Sequence, residues 1–392
     1  MKTGSALKGK VIVSGILFWY PLAGVTYQFL HYMIGLRRLG YDVYYVEDSG
    51  RWIYDAALND LSPDATPNIA AIAPTLAQHG FAGKWAFRGN YPDGQCYGLT
   101  VVELETLYRE ADVFINVTGS QELYDYHLSI PLRIYLETDP VASQIKIAQG
   151  DRDLISQLEK YHCHFSFGEN LGHPDCGVPV ERFDWKPTRQ PVVIDLWHRS
   201  NQPVDTGCYN TIASWTNQGK DLVWKGEPYY WSKDREFAKV LDLPSRCGSR
   251  FEVAAIPDTA SEKLFVSRGW RFRNPLDVSR AIPAYFDYIQ TARGEFTVAK
   301  DQNIRLRSGW FSDRSACYLA AGRPVITQDT GFGNILPVNC GLFGFTTLDE
   351  VVAAIEAIER DYLRHSRGAR EIAEEYFSAE KVLAHLLQRA GL

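Results

Sequence analysis

Apolar residues along the chain recur with two spacings, one typical of buried strands and one typical of amphipathic helices. Residues 10–17 form a nearly continuous apolar run, which predicts a buried strand. Apolar residues then recur at helical spacing over 25–39, Gly40 ends that pattern, and 42–46 predicts the next strand. This order of strand, helix and strand predicts a parallel sheet with helices on both faces.

The same two patterns continue to the end of the chain. In the first half they predict helices at 101–110 and 143–160 and strands at 112–117, 132–136 and 164–167. A proline-rich stretch at 178–190 interrupts them, and a second α/β unit opens at 191–197. That unit has predicted strands at 222–224, 251–255, 270–272 and 295–298 and predicted helices at 233–241, 278–292, 349–365 and 367–390. We therefore predict the α/β class, with two Rossmann-like doubly wound domains at 1–185 and 186–370 that face a central cleft.

Composition and charge restrict the class of protein. The chain has 392 residues, 45% of them hydrophobic and 22% charged, as in soluble proteins of two ordinary domains. A net charge of −6 argues against nucleic acid as a partner, although a local basic cluster can still hold a small anion. Seven cysteines without a Cys-x-x-Cys motif are typical of reduced thiols in the cytoplasm. The uncharged run at 11–35 contains proline, glycine and polar residues, so we expect no integral membrane segment.

The segment at 308–331 carries the strongest indication of chemistry. It is predicted as a glycine-containing loop, a short helix, a Gly-Arg-Pro turn, a buried strand and a second glycine loop. Gly309, Ser312 and Arg314 coincide at a helix start, where free backbone N–H groups and a cation suit a diphosphate. Asp313 beside them is a candidate helix cap.

This order of elements resembles the donor half of GT-B nucleotide-sugar glycosyltransferases. It is most similar to bacterial members that have a Ser-x-Arg and then an Ala-x-Gly-x-Pro-Val pattern. The resemblance implies transfer of a sugar from a nucleoside diphosphate sugar, such as a UDP-sugar, to a small-molecule or glycan acceptor in the cleft. It also implies catalysis without a metal or a cofactor, and a terminal helix at 371–392 that packs back on the first domain. Asp329, Thr330 and Gly331 match the loop that meets the transferred sugar.

The chain also departs from this family. Many relatives have a glutamate that holds the ribose five positions before the helix-ending glycine, and Cys317 stands there, so Asp313 or a backbone group is the substitute. The Glu-x7-Glu pair of many retaining members is absent, as is the histidine that many inverting members carry after the first strand. The nucleotide, the sugar, the acceptor, the stereochemistry and the oligomeric state therefore stay open.

Other candidate residues follow predicted strands. Lys225 is a candidate for neutralising the departing diphosphate, and a solvated lysine before a turn is the equal alternative. Gly24 and Thr26 match the loop that faces the acceptor in the family, and the alternative for Gly24 is a tight turn. Glu137 and Asp139 are two apart at a strand end, so an extended chain would direct both side chains to one face. They are the candidate catalytic carboxylates, and capping of the next helix is the commoner use of Asp139.

Three functions are compatible with these patterns. The first is a glycosyltransferase, the second a nucleotide-sugar epimerase or hydrolase of the same fold, and the third a non-catalytic binder of a nucleotide or sugar. Donor conversion without an acceptor would separate the second from the first. Nucleotide binding without any turnover would indicate the third.

Overall fold

The computed structural model describes residues 7–58, 60–89, 95–198, 206–217 and 219–392. Its strands are β1 (Lys10–Ser14), β2 (Asp42–Glu47), β3 (Ile53–Asp55), β4 (Asp60–Ser62), β5 (Trp85–Arg88), β6 (Cys96–Gly98), β7 (Val113–Val117), β8 (Leu132–Glu137), β9 (Cys163–Ser166), β10 (Trp185–Pro187), β11 (Cys208–Ile212), β12 (Leu222–Trp224), β13 (Glu227–Tyr229), β14 (Arg250–Ala254), β15 (Trp270–Arg273), β16 (Gly294–Thr297), β17 (Val325–Gln328) and β18 (Leu342–Phe345). Its helices are α1 (Ala23–Arg38), α2 (Thr66–Gln78), α3 (Val101–Glu110), α4 (Asp125–Leu128), α5 (Ala142–Ala148), α6 (Arg152–Leu158), α7 (Asp234–Ala238), α8 (Leu243–Cys247), α9 (Thr259–Ser267), α10 (Pro275–Ser279), α11 (Ile282–Gln290), α12 (Asp301–Arg305), α13 (Asp313–Ala320), α14 (Leu348–Arg360), α15 (Tyr362–Ile372) and α16 (Ala379–Arg389).

Two large sheets organise the molecule. The first has the strand order β10-β9-β8-β7-β1-β2-β5-β6, and only the edge pair β5 and β6 is antiparallel. The second has the order β15-β14-β11-β16-β17-β18 and is parallel throughout. In both sheets the chain order reverses beside the first strand, which leaves a crevice at the carboxyl ends of the strands. These sheets confirm the predicted α/β class with two Rossmann-like doubly wound units.

The central strand of the second sheet, β11, is missing from the sequence prediction. Its middle residues, Asn210 and Thr211, are polar, so the run does not show the apolar pattern of a buried strand. Both side chains are buried and hydrogen-bonded: Asn210 accepts from the Tyr318 hydroxyl, and Thr211 donates to Glu295. The run at 191–197, which was expected to open this unit, instead crosses between the sheets and contains one 3₁₀ turn at Ile194–Trp197.

Other predictions also differ from the structure. The helix predicted at 278–292 is divided into α10 and α11, and the helices predicted at 349–365 and 367–390 form α14, α15 and α16 with different bounds. The helix predicted at 143–160 is divided into α5 and α6, because Gly150 ends the first and Asp151 caps the second through Leu154 N–H. The strand predicted at 222–224 forms β12, which pairs only with β13 in a hairpin outside both large sheets.

The last helix of the chain contacts the first sheet's core. Gly35 of α1 lies directly beneath Ala379 and Leu383 of α16, and further apolar residues of α16 join the same cluster. The C-terminal helix therefore crosses back to the first unit, as predicted. The boundaries at 185/186 and 370/371 stay a prediction, and β10 carries the first sheet as far as Pro187.

Helix α1 also joins the two units. The Tyr27 ring packs 4.8 Å from Trp197 and 5.9 Å from Tyr285, measured between ring centroids, and all three belong to a core cluster with α13. The start of α1 is thereby fixed against the second sheet. Among the described residues, no helix combines the length and the apolar character needed to cross a membrane.

Candidate functional site

A cavity of about 800 Å³ lies between the carboxyl edge of the second sheet and the start of α1. Its wall on the second sheet is formed by the segments that follow β11, β14, β15 and β16. Its opposite wall is formed by residues 22, 24 and 25 and by Tyr54. This is the switch-point position at which doubly wound sheets bind ligands.

Two helices begin at this cavity. The first residue of α1 is Ala23, its cap residue Leu22 has no side-chain acceptor, and its first turn has no acidic residue. Ser312 precedes α13 but makes no capping hydrogen bond. Gly24 and Ser312 both line the cavity. The uncapped N–H groups of α1 and the dipoles of both helices therefore favour an anion at this place, and at α13 the Asp313 carboxylate already accepts from one N–H group, that of Arg314.

Lys233 is the most unusual side chain in the cavity wall. The residue is only 8% exposed, and no described residue accepts a hydrogen bond from its ammonium group or forms an ion pair with it. Its Nζ lies 6.0 Å from the centroid of the Trp310 ring. Burial, together with the charges of Arg314 and Lys300, lowers the pKa of Lys233 to about 7. A buried cation without a counter-ion is costly, so an anionic ligand would be strongly favoured here.

Lys300 connects the cavity to the first sheet. It follows β16, lines the cavity and forms an ion pair with Asp139, which follows β8. Its Nζ also lies 3.2 Å from the centroid of the Trp231 ring. Burial lowers the pKa of Lys300. Asp139 therefore meets a cation of the opposite sheet, and α5 begins after Val141 without an Asp139 cap.

Arg314 lines the cavity but is largely held by the protein. Its Nε donates to Glu295 at 2.6 Å, and its terminal nitrogens donate to Thr297 Oγ1 at 3.1 Å and to the carbonyl of Ile212. Glu295 is fully buried, so this pair neutralises itself inside the second sheet. Asp313 also lines the cavity, accepts a hydrogen bond from the backbone N–H of Arg314, and has a pKa raised by burial.

Glu137 lies below the cavity surface. It is buried at the end of β8 and accepts hydrogen bonds from Gln144 at 2.5 Å and from Ser166 at 2.9 Å. Burial raises its pKa to about 7. Glu137 and Asp139 thus have different surroundings: Glu137 belongs to the core of the first sheet, and Asp139 reaches a cavity-lining lysine.

The structure places Gly309 and the loop at 329–331 outside the cavity wall. The Gly309 N–H already donates to Thr330 O at 2.7 Å, and a Cβ at this positive-φ position would collide with the backbone of Asn170. Asp329 accepts from Arg307 at 2.9 Å and from the N–H of Gly331 at 2.9 Å. These residues form a contact between the two units.

Two other predicted residues also do not line the cavity. Lys225 is exposed at the turn between β12 and β13, with its Nζ 5.6 Å from the centroid of the Trp224 ring. Thr26 is buried, and its hydroxyl donates to Leu22 O within the first turn of α1. Of the residues predicted for binding, the cavity brings together Gly24, Ser312, Asp313 and Arg314.

Sequence reasoning missed Lys233, Lys300, Trp310 and Tyr54 as cavity residues. Lys300 follows a predicted strand closely, so the rule that ligands bind at the carboxyl ends of strands could have found it. Lys233 lies at the end of the segment 221–233, which is rich in Trp and Tyr and also contains Lys225, and no local pattern separates the two lysines. Cys317 is buried in the core, and burial raises the pKa of its thiol. Within the described parts of the chain, no group of three or more His, Cys, Asp and Glu side chains could hold a metal ion.

Comparisons with known proteins agree with this architecture. No family model matches the sequence, and no curated protein is similar to it in sequence. Among solved structures, an alpha-glucosyltransferase (AGT) in complex with UDP is similar at a TM-score of 0.61 and 10% identity, over 98% of this chain and 100% of that one. HepE (Alr3699) of Anabaena, in complex with UDP, has a TM-score of 0.55 at 12% identity, over 97% and 100% of the two chains. AviGT4, a glycosyltransferase involved in avilamycin A biosynthesis, has a TM-score of 0.53 at 12% identity, over 97% of each chain.

These likenesses confirm that the chain has the predicted GT-B fold. The alpha-glucosyltransferase is also found in complex with UDP and a 13-mer DNA. The expectation that nucleic acid is not a partner of the present chain is therefore not confirmed, and it stays a prediction.

Proposed function

We propose that this protein is a glycosyltransferase that takes a sugar from a nucleoside diphosphate sugar and transfers it to an acceptor in the cavity. The observation that carries the proposal is Lys233, a buried ammonium group with which no described residue forms an ion pair, in a cavity at which α1 begins without a side-chain cap. Proteins of the same fold support it: an alpha-glucosyltransferase contains UDP, AviGT4 is named a glycosyltransferase, and HepE contains UDP.

The cations of the cavity have different tasks in this proposal. Lys233 and Lys300 face the diphosphate. Arg314 has a structural task, because its ion pair with Glu295 fixes the part of the cavity wall that α13 contributes. Negative charge grows on the leaving diphosphate as the bond to the sugar breaks, and preorganised cations and N–H groups stabilise that charge. The nucleoside diphosphate sugar is a co-substrate, and these residues act without a cofactor.

Of the two candidate carboxylates, we assign the acceptor side to Asp139. It approaches the cavity from the first sheet through Lys300, whereas Glu137 is enclosed in the core. Gly309 and the loop at 329–331 contribute by fixing how the two units meet. All seven cysteines are free thiols, which supports a cytoplasmic location.

A thermal-shift screen with UDP, GDP, dTDP and ADP tests the proposal. Binding to the native state raises its stability by about 2.7 kcal/mol when the ligand is at 100 times its Kd. We expect at least one nucleotide to raise the unfolding temperature. A flat response to all four would contradict the proposal, and donor breakdown without any acceptor would indicate the hydrolase or epimerase alternative.

A further inference from the structure

We propose that Trp19, Tyr20 and Tyr54 form the acceptor-binding platform and that the acceptor is an uncharged carbohydrate. The three rings contact one another in series, with interplanar angles of 38° and 32°, and together they are called here the aromatic platform. The centroids of Trp19 and Tyr20 are 5.0 Å apart, and those of Tyr20 and Tyr54 are 5.5 Å apart. The inference rests on the proposed function, because it assigns the second substrate of the same cavity.

The aromatic platform adjoins the cavity on the side opposite the cations. Tyr54 is itself a lining residue, and Trp19 and Tyr20 belong to the loop between β1 and α1. The lysines and the start of α13 lie on the wall contributed by the second sheet. A ligand on the platform would therefore meet a donor whose diphosphate lies at Lys233.

Hydrogen bonds fix the platform in one arrangement. The buried carboxylate of Glu47 accepts from the N–H groups of Phe18 and Trp19, at 2.6 and 3.0 Å. The side-chain amide of Asn68 donates to the carbonyls of Phe18 and Tyr54, at 2.7 and 3.0 Å, and Tyr54 N–H donates to Trp19 O at 2.9 Å. A surface that is already ordered loses less entropy when a ligand binds.

The rings and the charges around them indicate the chemical class of the acceptor. Sugar rings present C–H faces that pack on aromatic side chains, which offer a large apolar area. Nucleic acid bases also stack on such rings, but their binding requires a positively charged groove that follows the phosphates. Charges of both signs lie near the rings. Asp55 follows Tyr54 in the hairpin of β3 and β4, the Arg51 guanidinium lies 4.8 Å from the centroid of the Trp19 ring, and Arg280 donates to Ala56 O at 3.3 Å. Mixed charges among the described residues around the rings do not make the continuous positive groove that a polyanion requires, and they are compatible with a neutral glycan.

The test uses the full chain in the presence of UDP on an array of neutral oligosaccharides, with a 13-mer DNA duplex as the competing probe. Tyr20→Ala removes the central ring, and Tyr20→Phe keeps it and removes only the hydroxyl. We expect the wild type and Tyr20→Phe to bind the same neutral glycans and Tyr20→Ala to bind them at least tenfold more weakly. Calorimetric UDP affinity and the unfolding temperature are measured for each variant, and we expect them to stay unchanged.

The outcomes separate this inference from the proposed function. A wild type that binds UDP but no neutral glycan would overturn the platform and leave the donor site intact. Equal glycan binding by Tyr20→Ala, or DNA binding that depends on Tyr20, would overturn it as well. Loss of UDP binding in the wild type would instead count against the proposed function.

Discussion

At the scale of single residues, the cost of burying charge separates Lys233 from Arg314. Arg314 forms an ion pair with the buried carboxylate of Glu295, so its charge is already neutralised inside the protein. Lys233 has no such partner among the described residues and keeps its charge available for a ligand. Two cations in one cavity wall can therefore have unlike roles, which neither residue type nor sequence position reveals.

The first prediction concerns the pH dependence of stability. The pKa of Lys233 is about 7 in the folded chain and 10.5 at its ordinary value, so between them the unfolded state binds more protons. Protonated Lys233 thus costs stability at neutral pH, and the free energy of unfolding rises as the pH increases from 7. Urea titrations from pH 7 to about 9 should show a larger rise for the wild type than for Lys233→Met. Equal slopes for the two proteins would show that Lys233 is not a strained buried cation.

The second prediction concerns the Arg314–Glu295 pair. Arg314→Ala leaves a fully buried carboxylate without its counter-charge, which should lower the free energy of unfolding by about 3–5 kcal/mol. The double variant Arg314→Leu with Glu295→Leu removes both charges, so its free energy of unfolding should fall clearly less than that of Arg314→Ala. Urea unfolding of both variants measures the difference. A double variant as unstable as Arg314→Ala would argue against a charge-burial cause.

At the scale of elements, local signals predicted the structure well where they were present. Helix α3 forms over the predicted range because Thr100 and Glu103 make a capping box that defines its start. Strand β11 was missed because its middle residues are polar. In the fold those residues form hydrogen bonds with Tyr318, on α13, and Glu295, on β16. A contact between distant elements leaves no trace in the apolar pattern of either one.

In the candidate site, too, the residues with a local sequence signal were predicted and those brought together from distant segments were not. The start of α13 was predicted from glycine, serine and arginine at neighbouring positions, and Ser312 and Arg314 indeed line the cavity. Lys233 and Lys300 come from separate loops, and Asp139 comes from the other sheet. These residues come together because of the way the two sheets pack, and the sequence pattern of each loop does not predict that packing.

The third prediction tests the packing of α16 on α1. A side chain at Gly35 would overlap Leu383 and Ala379, because even a Cβ there would lie 2.6 and 2.9 Å from their atoms. Gly35→Leu should therefore destabilise the protein by about 1–3 kcal/mol through overpacking. Gly333→Ala is the control, since its Cβ would meet only ordinary contacts at 3.8 Å. Thermal unfolding of both variants checks the prediction. An unchanged unfolding temperature for Gly35→Leu would mean that α16 does not pack on α1.

At the scale of the whole molecule, two sets of contacts join the sheets, one at the cavity and one away from it. At the cavity, Asp139 pairs with Lys300, and the Trp310 indole N–H donates to Thr138 O at 3.1 Å. Away from the cavity, Arg307 bridges Asp175 and Asp329 at 2.7 and 2.9 Å. Binding of a diphosphate at Lys300 would compete with Asp139 for the same ammonium, so donor binding and the contact between the units are linked.

The fourth prediction follows from that link. Asp139→Asn keeps the size of the side chain and removes its charge, so Lys300 is released toward the cavity. We expect UDP affinity to be retained or increased, and sugar transfer to fall at least tenfold. Asp175→Asn, which removes a carboxylate between the units away from the cavity, should keep transfer. Full transfer by Asp139→Asn would reduce that residue to a structural partner of Lys300.

The central claim is that Lys233 receives the diphosphate of the donor. Calorimetric titration of UDP into the wild type, Lys233→Met and Lys225→Met at neutral pH tests it most directly. Lys225 is the matched control because it is an exposed lysine nearby in sequence and outside the cavity wall. We predict that UDP binds the wild type and Lys225→Met equally and binds Lys233→Met at least tenfold more weakly. Equal UDP affinity of the wild type and Lys233→Met would contradict the claim.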